Sequence, residues 1–158
     1  MNEFSKNGGG NGEWRICRSA EETENAAAEF AATLPPDCTL ALHGELGAGK
    51  TTFVRGIARA LGIAQEITSP SYNIYAIYDG SRGNGGGACR LVHMDAYRLA
   101  SPAALDALML DEFLVSPRIL AIEWPERISA ALPPDAIHLD FEIVSAGTHR
   151  FRVRFGND

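Results

Sequence analysis

Cysteine is scarce in this chain: Cys17, Cys38 and Cys89 are the only three. Their odd number and the lack of any Cys-x-x-Cys pair argue against a disulfide framework or a structural zinc site, and suit a reducing compartment. No stretch approaches the roughly 18 consecutive apolar residues of a membrane-spanning helix. The opening MNEFSKNGGGNGEW lacks the apolar segment of a secretory signal. A cytoplasmic protein with no membrane attachment is therefore expected. A basic excess is missing too. Fourteen Lys and Arg stand against 20 Asp and Glu, a net charge of −6, which excludes a strongly basic nucleic-acid coat. Lysine is rarest of all the charged types, with Lys6 and Lys50 the sole examples beside twelve arginines.

What is present is an ordinary soluble composition. Of 158 residues, 46% are hydrophobic and 22% charged, enough for one domain with one proper core. Residues 1–12 are polar and Gly-rich and read as a disordered tail, leaving 13–158 as a single domain. Trp14 to Arg18 alternates as a short strand. Ser19-Ala20-Glu21-Glu22 is a capping box opening a helix that runs to Leu34, before Pro35-Pro36. Thr39 to His43 is a continuous apolar run with turn signals at both ends, the pattern of a strand buried on both faces.

A helix is predicted from Lys50 to Leu61, with Gly62 as its left-handed cap. Tyr72–Tyr78 and Cys89–Met94 read as a hairpin around a flexible Gly80–Gly87 turn. Residues 102–114 read as one helix, Ile119–Glu123 as a second apolar strand ending in a carboxylate, and Pro125–Leu132 as a short helix. Ala136–Val144 and His149–Phe155 form a terminal hairpin around Gly147.

The chemistry lies first in Gly44-Glu45-Leu46-Gly47-Ala48-Gly49-Lys50-Thr51, a complete G-x-x-x-x-G-K-[ST] match. A chance match in a chain of this length arises in about one per cent of cases. A buried strand precedes the motif and a helix follows it, as a phosphate-binding P-loop requires. Glycines let successive amides turn inward toward phosphate oxygens, and the helix start aims its free N–H groups and positive dipole end at the same place. Glu45, Leu46, Gly47, Ala48, Gly49, Lys50 and Thr51 are thus the expected nucleotide-binding residues. Lys50 is suited to the β- and γ-phosphates, and Thr51 to Mg²⁺. The fold class that follows is α/β: a three-layer P-loop sandwich with a mostly parallel central sheet and antiparallel hairpin additions.

Such a site needs an acidic group beside the metal. Glu123, at the end of the apolar Ile119–Ile122 run, fits, with its reach to the metal running through a water. Asp95, after Leu91-Val92, is a second strand-end candidate, to orient the attacking water or to serve the metal indirectly. A plain helix cap paired with Arg98 is the alternative for Asp95, and a core position the ordinary role for His93. Thr68-Ser69-Pro70-Ser71-Tyr72 reads either as a loop or as a segment following the γ-phosphate. Arg150, Arg152 and Arg154 share one strand face, either as a solvated surface or as a patch for RNA or an acidic partner.

These residues together resemble the TsaE family, small P-loop ATPases of bacterial tRNA threonylcarbamoyladenosine (t6A) synthesis. The resemblance runs from Trp14 to Phe155. It rests on GELGAGKTTFVRG at 44–56, SPSY at 69–72, HMDAYRL at 93–99, LDEFL at 110–114 and IEWPER at 122–127. It implies ATP and Mg²⁺ as cofactors, ADP after turnover, and TsaD and TsaB homologues as partners, with tRNA reached indirectly through that complex. It places Thr52 with Lys50 and Thr51 in the phosphate and metal site. It gives Asp95 and Glu123 the roles of the family's acidic residues, with Thr51 and Glu123 on the metal side and Lys50, Asp95 and Glu123 as the catalytic set. Trp124 matches the family tryptophan, and Ser71 stands where a threonine is more usual. Thr23 is offered for adenine, and Arg98 and Arg127 as internal arginine fingers.

Two alternatives stay open. A small-molecule kinase would need an acceptor pocket and an arginine-rich lid, and the segment after the P-loop helix is short. A nucleotide-gated binding module would need only binding, with negligible turnover.

Overall fold

A computed structural model describes residues 12–70, 73–83 and 85–155. Short β1 (Arg15–Cys17) leads into α1 (Ala20–Ala31). The Ser19 hydroxyl accepts the Glu22 amide at the helix start, as predicted. Glu22 reaches one residue further back than a capping box does, accepting from the Arg18 amide at 2.6 Å. Then come β2 (Asp37–His43), α2 (Lys50–Ala60), β3 (Tyr75–Arg82) and β4 (Gly87–Asp95). A five-residue helix α3 (Pro102–Asp106) and a 3₁₀ turn at Leu110–Glu112 precede β5 (Arg118–Glu123). A second, kinked 3₁₀ segment at Pro125–Ala131 leads to β6 (Ile137–Ser145) and β7 (Thr148–Phe155).

The strands form one seven-stranded sheet in the order β1-β7-β6-β2-β5-β4-β3. The central four, β6, β2, β5 and β4, are mutually parallel; β3 pairs antiparallel with β4, and β7 lies antiparallel between β6 and β1. Apolar side chains on both faces explain the unbroken runs of β2 and β5. On one face Leu40, Leu42, Ile119 and Leu139 pack beneath α1 and α2. Phe53 of α2 is fully buried there against the rings of Phe30, Phe141 and Phe151. On the other face Val92, Met94, Leu120 and Ile122 meet Leu99, Leu110 and Ile128.

Three expectations are corrected. The helix expected at 102–114 is broken, with Met109 at φ +52 between its two pieces. In a continuous helix, Leu110 and Leu114 would stand roughly 140–180° round from Leu105. The break turns Leu105, Leu110 and Leu114 into one apolar cluster.

The turn expected at Gly80–Gly87 is shorter, because Gly80 to Arg82 belong to β3 and Gly87 to β4. The Ser81 amide donates to the Leu61 carbonyl at 2.8 Å, which ties this end of β3 to the end of α2. Arg82 donates to the carbonyls of Ala31, Leu34 and Pro35, at and just beyond the end of α1. The strand expected from Tyr72 begins at Tyr75, and Ser71 and Tyr72 lie outside the described residues.

Most of the expected tail also lies outside them. Its last residue, Gly12, is described, and its amide bonds the Val153 carbonyl at 2.8 Å. Gly62 at φ +67 and Gly147 at φ +75 take the left-handed turns expected of them.

Candidate active site

The motif glycines sit where β2 leaves the sheet. Gly47 has φ +80 and Gly49 φ +106, backbone positions open to glycine, and no other atom comes within 4 Å of a Cβ placed on Gly47. Gly49 is the N-cap of α2 and carries no side chain to fill the helix's open amides. Ala48 is buried in the core and its amide bonds the Glu45 carbonyl at 3.1 Å, which closes the loop. Glu45 is exposed, and Leu46 at the loop tip is 85% exposed. His149, from the β6–β7 hairpin, lies beside the loop with Nε2 3.0 Å from the Gly47 carbonyl oxygen.

Lys50, the first residue of α2, is only 4% exposed. Its Nζ donates to the Gly44 carbonyl at 2.5 Å and lies 3.8 Å above the Trp124 ring. Burial pulls its pKa down, against the opposing charges of Glu123, Glu126 and Asp95. Trp124 holds this place with a left-handed backbone, φ +57, uncommon for a bulky residue. Its other neighbour is the Tyr97 ring, 5.1 Å away between centroids.

Thr51 and Glu123 meet directly. The Thr51 hydroxyl lies 3.0 Å from Glu123 Oε2 and 3.2 Å from Oε1. Glu123 is 5% exposed, and its Oε2 also accepts from His93 Nε2 at 2.6 Å. Asp95 faces Glu123 in register across the β4–β5 ladder. It accepts the Ser69 hydroxyl at 3.1 Å on one oxygen and the Tyr97 amide at 3.0 Å on the other. The structure therefore gathers Lys50, Thr51, Asp95, Glu123 and Trp124 at the C-terminal ends of β2, β4 and β5. Thr52 follows on the first turn of α2, partly exposed.

Other expected residues lie elsewhere or are engaged. Thr23 is buried in α1 and donates to the Ser19 carbonyl. Arg127 lies 5.2 Å over the Tyr97 ring, and Arg98 is exposed. Arg150 pairs with Glu142, while Arg152 and Arg154 both pair with Asp140. That strand face is thus a set of cross-strand ion pairs and not a bare basic patch. Ser69 is the one hydroxyl of the SPSY motif within the described residues, and its tie to Asp95 was not read from the sequence. Its signal lay only in the tertiary return of 67–70 to the end of β4.

Similarity to known proteins follows the same span. A family sequence model described as "Threonylcarbamoyl adenosine biosynthesis protein TsaE" matches residues 17–151. The chain is 33% identical over 138 residues to the tRNA threonylcarbamoyladenosine biosynthesis protein TsaE of Treponema pallidum, covering 87% of this chain and 97% of that one. It is 35% identical over 142 residues to the protein of the same name in Bacillus subtilis, covering 90% of this chain and 83% of its relative. Among solved structures, the crystal structure of Bacillus subtilis YdiB superposes with a TM-score of 0.71 at 29% identity, covering 92% of this chain and 86% of YdiB.

Proposed function

Because the chain belongs to the TsaE family, we propose that it binds ATP with Mg²⁺ at the 44–51 loop and hydrolyses it in tRNA t6A synthesis, acting with homologues of TsaB and TsaD. The observation that carries the reading is the direct contact of Thr51 with Glu123, 3.0 Å apart at the entrance of α2. A hydroxyl and a carboxylate are hard oxygen donors of the kind Mg²⁺ takes together with substrate phosphates. Among the described residues no cluster of three or more His, Cys, Asp or Glu is placed to hold a metal by itself. The donor set therefore suits an ion that arrives with a nucleotide.

Mg²⁺, when bound, supplies neutralisation of the phosphate charge as it develops. The chain's own residues do the rest. The open amides at the start of α2 and the turned Gly47 and Gly49 receive phosphate oxygens. Lys50 adds a charge in a site where burial strengthens it. Asp95, anchored by Ser69 and Tyr97, orients the attacking water. Arg127 lies over the Tyr97 ring, and a finger from a partner is expected to stabilise the transferring phosphoryl group. ADP remains after turnover.

The product-forming transfer belongs to the partners, and tRNA is met through them. No helix among the described residues is long and apolar enough to cross a membrane. We place the protein in the cytoplasm.

Phosphate release from ATP, measured alone and then with TsaB and TsaD homologues and tRNA, tests the reading. Slow release alone and marked stimulation by the partners are expected. Release that the partners leave unchanged would overturn the partnership, and no release in either case would overturn the ATPase.

A further inference from the structure

His93 lies in the middle of an otherwise apolar stretch of β4. It is fully buried, with Leu91 and Val92 before it and Met94 after it, all at 0% exposure. Its Nδ1 has no hydrogen-bond partner. Its single side-chain hydrogen bond among the described residues runs from Nε2 to Glu123 Oε2, at 2.6 Å. An apolar side chain would fill this place without burying a bare polar nitrogen, which is unfavourable. Packing alone therefore gives no reason for a histidine here.

The sheet register gives one. His93 and Asp95 point to the same side of β4, two residues apart. His93 is opposite Ala121 on β5, and Asp95 opposite Glu123. The small Ala121 leaves room for the imidazole to reach diagonally to the Glu123 carboxylate. That carboxylate is thus gripped from two directions, by His93 and by the Thr51 hydroxyl. The ionised carboxylate can only accept, so the proton of this hydrogen bond is carried on Nε2.

We propose that His93 is a positioning residue: its Nε2–H fixes the Glu123 carboxylate against Thr51, so that the metal-side oxygens are in place before nucleotide arrives. The inference rests on the proposed reading of Thr51 and Glu123 as metal-side groups. Hydrogen-bond partners that orient the residues of a metal site typically contribute about 10–100-fold to metal affinity or activity.

The geometry makes a sharp comparison possible. A Gln amide nitrogen can take the place of Nε2, whereas an Asn amide nitrogen falls near Nδ1 and is too short to reach Glu123. The experiment measures ADP affinity with and without Mg²⁺ for the full chain and for His93→Gln, His93→Asn and His93→Leu. It also measures phosphate release and urea unfolding of each.

The parent should bind ADP more tightly with Mg²⁺. His93→Gln should keep that gain within about threefold, and His93→Asn and His93→Leu should lose about tenfold or more of it. Metal-free ADP affinity should stay level across the set. A second measurement serves even where the Gln variant does not fold: in a Glu123→Ala background, His93→Leu should cause no further loss of Mg²⁺ dependence. Equal Mg²⁺ dependence in all three variants, a Gln variant as weak as Asn, or an additive loss in the Glu123→Ala background would overturn the proposal. A parent with no Mg²⁺-dependent ADP binding would instead overturn the reading of the site itself.

Discussion

Asp95 and Glu123 end neighbouring parallel strands and face each other in register, yet their surroundings differ. Glu123 is buried and bound to Thr51 and His93. Asp95 is half-buried and bound to Ser69 and the Tyr97 amide. The proposed function gives them different work, Glu123 on the metal side and Asp95 on the water side.

Asp95→Asn should therefore leave ATP affinity near the parent value and lower turnover about 100-fold or more. Glu123→Ala should lower turnover and also reduce the Mg²⁺ dependence of binding. Titration of each variant with ATP, with and without Mg²⁺, beside phosphate-release rates checks both. Parent-like turnover in Asp95→Asn would leave Asp95 as an anchor for Ser69 and Tyr97 and nothing more.

Gly56 lies where α2 crosses α1. A Cβ there would collide with the Glu24 carbonyl oxygen and would lie 2.6 Å from the Ala27 Cβ. Gly→Ala inside a helix ordinarily stabilises by up to about 1 kcal/mol. Here the collision should win and Gly56→Ala should destabilise by about 1–3 kcal/mol. Urea unfolding decides the sign, and a more stable variant would show that the two helices part without cost.

A pair of stacked histidines gives the fold a pH dependence. His43 Nε2 and His138 Nδ1 lie 2.8 Å apart. Burial pushes the His43 pKa down, helped by His138 and Arg154, and burial with Arg154 does the same to His138. Both folded values thus lie below the unfolded value near 6.5. As pH falls through about 6.5 the unfolded chain takes up protons that the folded chain refuses, so stability drops with acidification in that window. Asp140, where Arg154 and Arg152 outweigh burial and hold the pKa down, adds its own loss only at lower pH, in the carboxylate range. Urea midpoints at pH 7.5, 6.5 and 5.5 should fall for the parent and fall less for His138→Asn. Parallel curves would contradict the assignment.

The parts legible in the sequence were those written in local pattern. The P-loop motif fixed the position of Lys50 and Thr51, and apolar runs ending in carboxylates located Asp95 and Glu123. Strand alternation located the terminal hairpin. The parts that were not legible depend on distant chain returning. Arg82 sits in a Gly-rich stretch that reads as a turn, and only the end of α1, some fifty residues earlier, explains its strand and its three carbonyl partners. The helix break at Met109 answers to the apolar cluster beneath the sheet, not to any local breaker. His93 reads as a core residue because its partner lies 30 positions on, at the end of another strand. The arginines of β7 read as a solvated face or a patch because Asp140 and Glu142, their partners, sit on the adjacent strand.

In the proposed function Lys50, buried between the Gly44 carbonyl and Trp124, serves the phosphates of a hydrolysed nucleotide. Its most direct test is phosphate release from ATP by the parent and by Lys50→Ala, both supplied with the TsaB and TsaD homologues. A fall of about 100-fold or more is expected in Lys50→Ala, with unfolding unchanged or slightly improved by removal of a buried charge. Parent-level release by Lys50→Ala would contradict it.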